Sequence, residues 1–171
     1  MNVSEKTIDG LYVLIKQCFE ENRWTDRMVS VLGVKFACNQ SSLLIHHGVA
    51  HAYPKLSDKI GELCLERYNI PVEYGSTNEG KQEYGSVMSM IQELEDRSIA
   101  FQNMLMGVMK IAWEDNDLQV YSDLSEILSD YNFIVEQVIL LNDKMHYYGE
   151  DGIMKFDHDV DKFWSLDENL F

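Results

Sequence analysis

The stretch LSEILSDYNFIVEQVILLNDKM, residues 124–145, decides the fold class. Leu124, Ile127, Leu128, Tyr131, Ile134, Val135, Val138, Leu141 and Met145 recur every three or four residues. That spacing lays one broad apolar stripe along a helix of about six turns. Gly149 suits the position just past its end, where a left-handed residue stops a helix. The same period runs through Val87, Met90, Ile91, Leu94, Phe101, Leu105, Val108 and Ala112, and the polar turn Asp115-Asn116-Asp117 parts the two segments. Two long amphipathic helices across so short a turn lie antiparallel, each covering the other's stripe.

Toward the N-terminus, Ser4 as N-cap predicts a first helix to about Asn22, with Ile8, Leu11, Tyr12, Ile15 and Phe19 on one stripe. Thr25 is suited to cap a second helix reaching His51. Its apolar face includes Met28, Leu32, Phe36, Leu43 and Ala50, with Asn39 and His46 on the same side. Pro54 fits the first turn of a third helix ending near Asn69, where its missing N–H costs nothing. A linker from Pro71 to Asn78 follows, and Ser76-Thr77-Asn78-Glu79 reads as a capping box opening the next helix. The expectation is a single all-α domain: a four-helix bundle over residues 25–148, an additional N-terminal helix over 1–24, and an acidic C-terminal arm over 149–171.

Totals bound the function. The 171-residue chain carries a net charge of −15, and no cluster of Lys and Arg is present to neutralise phosphates, so nucleic acid is not an expected partner. Met1 to Glu20 lack the basic and apolar regions of a secretory signal, and no apolar run is long enough to span a bilayer. A cytoplasmic location without a membrane partner is expected. Cys18, Cys38 and Cys64 show no CxxC spacing and read as reduced, buried thiols. Gly-rich phosphate loops and nucleophile motifs are absent.

Chemistry is concentrated in His46-His47-Gly48-Val49-Ala50-His51, with Asp58 and Glu62 next in the chain. His47 and His51 stand four apart, as do Asp58 and Glu62, so each pair shares a helix face. Neutral imidazoles beside carboxylates are the ligand mixture of iron, zinc and manganese. Leu56, Ile60, Leu63 and Cys64 face the core, which turns Asp58 and Glu62 outward. A metal site using all four residues therefore requires a second subunit. His46, nearer the apolar stripe, is expected to hydrogen-bond inside the bundle.

Two other patterns bear on metals. Asp157, Asp159, Asp161 and Glu168 match the first, third, fifth and twelfth positions of a calcium loop, but Lys162 stands where that loop needs glycine. Glu62 with Glu66 and Glu126 with Asp130 are spaced by four, against the three of the all-α magnesium-dependent nucleotide pyrophosphohydrolases.

Over roughly Thr25 to Tyr148 the chain resembles the ferritin-like superfamily, and most closely its Dps-type (starvation-ferritin) branch. Asp58-Lys59-Ile60-Gly61-Glu62 is similar to the Asp-x-x-x-Glu on the second bundle helix of Dps-type proteins, and Ile70-Pro71 with Gly75-Ser76-Thr77 is similar to their linker. The resemblance implies a homo-oligomeric shell in which Asp58 and Glu62 bind iron with His47 and His51 of a neighbouring subunit. Ferrous iron would there be oxidised and stored. The Glu-x-x-His pairs of di-iron ferritins are missing; Asp143-Lys144-Met145-His146 is the nearest analogue. A non-catalytic interaction bundle with structural histidines is the alternative class.

Overall fold

The computed structural model describes residues 2–166 and 168–171. Its α-helices are α1 (Glu5–Phe36), α2 (Asn39–Ile45), α3 (Ala52–Glu62), α4 (Val87–Glu114), α5 (Leu118–Tyr148) and α6 (Ile153–Asp159). Two π-helical turns, His46–Ala50 and Leu63–Tyr68, follow α2 and α3, so residues 39–68 run as one long helical rod. The bundle is made of α1, this rod, α4 and α5. No strand occurs among the described residues, and no helix among them is long and apolar enough to cross a membrane.

The expected all-α four-helix bundle is what the chain forms, with different seams. Helix α1 passes through residues 22–25 unbroken. Thr25 is buried there, and its hydroxyl donates to the Glu21 carbonyl (2.8 Å). A capping residue is thus absorbed mid-helix by bonding four residues back. The helix stops instead at Ala37, left-handed at φ 56°, where the Cys38 N–H reaches back to the Leu32 carbonyl (3.1 Å). The predicted first and second helices are therefore one bundle helix as far as Phe36.

Helix α4 begins ten residues beyond the predicted capping box, with Ser86 as its cap (Ser89 N to Ser86 Oγ, 3.1 Å). Residues 69–86 are held instead as a strap along α1. Tyr12 donates to the Pro71 carbonyl (2.7 Å), the Asn78 N–H to Glu20 Oε1 (3.3 Å) and Tyr84 to the Trp24 carbonyl (3.2 Å). These partners climb α1 in order, so the strap carries the chain from one end of the bundle toward the other. It leaves α4 parallel to the 39–68 rod, a bundle with one long crossover.

The core is lined by Leu14, Ile15, Cys18, Met28 and Leu32 of α1, Leu56 and Ile60 of α3, Ile91, Leu94, Phe101 and Leu105 of α4, and Leu124, Ile127, Ile134 and Leu141 of α5, all buried. A Cβ on Gly10 would stand 2.8 Å from Val108 Cγ1, so α1 and α4 approach as closely as they do because residue 10 has no side chain. Ser4 caps α1 (Thr7 N to Ser4 Oγ, 3.1 Å) and ties it to the α4–α5 turn. Its hydroxyl donates to Asp115 (2.6 Å) and its N–H to Asp117 (3.1 Å).

The C-terminal arm folds onto the bundle, with Phe156 and Val160 fully buried. Asp157 accepts from the backbone N–H groups of Ser41 (2.8 Å) and Gln40 (3.3 Å), capping α2 from a distant element. Asp159 takes hydrogen bonds from Tyr148, Lys155 and Lys162. Both carboxylates are thus occupied, and helix α6 stands where a calcium loop would have to begin. Replacing the Asp157 cap, Asp157→Ala, is expected to cost about 1–2 kcal/mol in urea unfolding, with Asp157→Asn recovering part of the loss.

Candidate metal centre

Proline at position 54 shapes the site. Without an N–H it leaves the Ala50 carbonyl, four residues back, without its helical partner. Asn22 of α1 fills that role, donating to Ala50 O (2.9 Å). Just before the proline the helix widens into the π turn, closed by the His51 N–H bonding the His46 carbonyl five residues back (3.1 Å). In a regular α-helix His46 and His51 would point about 140° apart. The wider turn brings their rings to 4.2 Å, and His47 lies 5.1 Å from His46 and 5.3 Å from His51. One ligand nitrogen from each of the three lies within 4.8 Å of the others.

Helix α1 orients one member. Asp26 Oδ1 meets His46 Nδ1 at 2.9 Å, and Asn22 also donates to Asp26 Oδ2 (3.2 Å). A carboxylate only accepts, so Nδ1 carries a proton and, in the neutral ring, Nε2 is the nitrogen with the lone pair. Partial desolvation, followed by the neighbouring His46 and His47, lowers His51 from the ordinary imidazole value, which favours the neutral form. Nitrogens about 2.1 Å from one tetrahedral ion stand roughly 3.4 Å apart, so the three rings have to close in from their 4.8 Å spread to share one ion.

His47 and His51 meet as their spacing predicts. The hydrogen bond expected for His46 inside the bundle goes instead to Asp26 of α1, a half-exposed carboxylate at the surface, and His46 joins the cluster. Asp58 and Glu62 are exposed on α3 and fall outside the group. Asp58 lies two turns from His51, about 10 Å along the axis. Asp26, twenty residues before His46, carries no sequence signal for this role; Pro54 beside three histidines is the local hint of an irregular turn.

The bundle interior presents a different chemistry. Glu21 of α1 is buried and accepts from Arg97 Nε (2.8 Å) and Nη2 (3.1 Å) of α4, and from Gln17 (2.6 Å). The guanidinium lies 4.8 Å from the Trp24 ring centre. Below it, Tyr53 and Tyr131 share a hydrogen bond (3.0 Å), and Tyr131 reaches the Ser98 carbonyl (3.2 Å). Burial raises both phenols and the Cys18 thiol.

No family model and no curated protein matches the chain. Solved structures do. An open-pore ferritin from the hyperthermophilic archaeon Archaeoglobus fulgidus superposes with a TM-score of 0.86 at 15% identity, covering 94% of this chain and 98% of that one. A humanized archaeal ferritin gives 0.84 at 14%, covering 93% and 96%. Chlorobium tepidum ferritin gives 0.81 at 13%, covering 94% and 99%. The likeness establishes a ferritin-like fold; closeness to the Dps-type branch remains an expectation.

A dinuclear centre in such a bundle needs inward carboxylates from all four helices, with two Glu-x-x-His motifs. Among the described residues the bundle helices bury two carboxylates, Glu21 held by Arg97 and Asp123 of α5 held by Arg67 and Tyr68, among phenols and apolar side chains, and that set does not fit. Arg97→Met, which strands the buried Glu21 charge, is expected to lower stability by about 3 kcal/mol, and Glu21→Met with Arg97→Met to restore most of it. Burial already sets the folded Glu21 carboxyl above its ordinary range. The folded state therefore binds the proton more readily than the unfolded one, so the Arg97→Met deficit should shrink as pH falls through the folded value. Urea midpoints from pH 7 downward check both statements.

Proposed function

We propose that the chain is a ferritin-like, homo-oligomeric protein that takes up divalent transition-metal ions, iron in particular, at His47 and His51 with His46 beside them. Asp58 and Glu62 of a neighbouring copy complete the site. The observation that carries the reading is the convergence of three imidazole nitrogens within 4.8 Å on an accessible turn. Iron is the cargo here, held at the subunit surface rather than between the bundle helices.

The stripe itself supports an inter-subunit site. Residues 47, 51, 58 and 62 follow one side of the 39–68 rod, histidines at one end and carboxylates at the other. In a two-fold contact with antiparallel rods, the carboxylate end of each copy meets the histidine end of its mate, giving two equal sites. The net charge of −15 draws cations toward such a surface. The pyrophosphohydrolase alternative has less support: Asp130 is engaged by Lys59 (3.3 Å), and no group of three carboxylates converges among the described residues. An interaction bundle that needs no metal is the competing class.

Size-exclusion chromatography with light scattering and elemental analysis, on protein purified without chelator, tests the proposal. Iron or a similar divalent ion should travel with an oligomer. Asp58→Ala with Glu62→Ala should keep the helical circular dichroism and lose that iron. Unchanged iron stoichiometry in the double variant removes the carboxylates from the site. A metal-free monomer defeats the reading as a whole.

A further inference from the structure

Among the described residues of one subunit, the candidate centre gathers no oxygen ligand. Its three donors are imidazole nitrogens, and the nearby carboxylate of Asp26 is already engaged by His46 Nδ1 (2.9 Å) and by Asn22 (3.2 Å). Imidazole suits the later first-row dications, whereas manganese and magnesium are held by carboxylate, carbonyl and water. Three nitrogens on one short turn also leave at least one coordination position to solvent, since His51 is exposed and His47 half-exposed.

We infer that the His46–His47–His51 turn is by itself a nitrogen-only site for a late first-row dication, zinc, copper(II) or nickel, with one position open. The Asp26–His46 pair is its orienting arm. This rests on the cluster being a metal site at all, and adds what the site prefers and what positions it. Asp26 is a positioning residue: it fixes the tautomer and the direction of Nε2, and Asn22 fixes Asp26 while satisfying the carbonyl freed by Pro54. Iron would then compete poorly for the histidines alone and would need the carboxylates of a neighbouring copy. The Asp58→Ala, Glu62→Ala variant accordingly keeps a working zinc site while losing iron.

The test is anaerobic competition at the full-length protein. Mn²⁺, Fe²⁺, Co²⁺, Ni²⁺ and Zn²⁺ are each titrated against a chromogenic zinc chelator, and the visible spectrum of the Co²⁺ form is recorded. Affinity should rise from Mn²⁺ through Fe²⁺ to Ni²⁺ and Zn²⁺, and Co²⁺ should show the intense bands of a four-coordinate ion. His46→Ala with His47→Ala and His51→Ala should abolish zinc binding. Asp26→Asn should weaken it about ten- to hundred-fold with unchanged thermal stability. Mn²⁺ or Fe²⁺ held as tightly as Zn²⁺, or the weak bands of six-coordinate Co²⁺, overturns the nitrogen-only site while leaving metal binding standing. Zinc retained by the triple variant overturns the location. Failure of the wild-type protein to bind any of these ions sinks both this inference and the function it rests on.

Discussion

Proline cannot donate a backbone hydrogen bond, and Pro54 lies within the rod that forms one quarter of the bundle. A missing donor there obliges the preceding turn to open and obliges some other group to satisfy the Ala50 carbonyl. The π turn and Asn22 meet those two demands. Everything notable about the surface site follows from that accommodation. The widened turn is what brings His51 edge-on to His46, and the side chain that repairs the carbonyl also steadies Asp26, which in turn aims His46. In a regular helix of the same sequence His47 and His51 would still share a face, but His46 would point about 140° away from His51.

Inside the bundle the electrostatic problem is solved differently. A buried carboxylate needs a positive partner, and here the partner is covalently part of α4. Arg97 meets Glu21 with two nitrogens and rests against Trp24, so charge, hydrogen bonds and the flat face of the guanidinium are all matched. Such a pair adds little over a well-packed apolar alternative, yet either half alone is costly, so the two residues depend on each other. With the interior cation built in and the tyrosines bonded to each other, the chain shares the ferritin-like scaffold without the usual interior ligand set. Its metal chemistry, as proposed, is moved outward to the π turn.

Much of this was legible in the residues. The stripes on α4 and α5 fix helix, direction and core, because a period near 3.6 sustained over many residues has no other packing solution. His47 and His51 were visible as a pair for the same reason. The helix seams were not. Thr25 and Ser76 both carry the chemistry of a cap, but a hydroxyl can bond four residues back inside a helix, and a capping sequence can be overridden by side chains from another element. The strap's bonds to Tyr12, Glu20 and Trp24 are such an override. Asp26 and Arg97 reach their partners across the bundle, and no local pattern announces a contact between residues 20 or 76 positions apart.

The strap over residues 69–86 also has a kinetic meaning. Each of the two hairpins it joins, α1 with the 39–68 rod and α4 with α5, closes through a short turn and gathers contacts from its own neighbourhood. The strap's bonds to α1 instead span 58 to 60 residues. Loop closure on that scale is disfavoured until the hairpins supply compensating burial, so these contacts belong late in assembly. Interactions formed after the rate-limiting step leave the folding rate alone and slow the reverse reaction. The strap therefore works as a latch: it governs how long the docked bundle survives rather than how quickly it is reached.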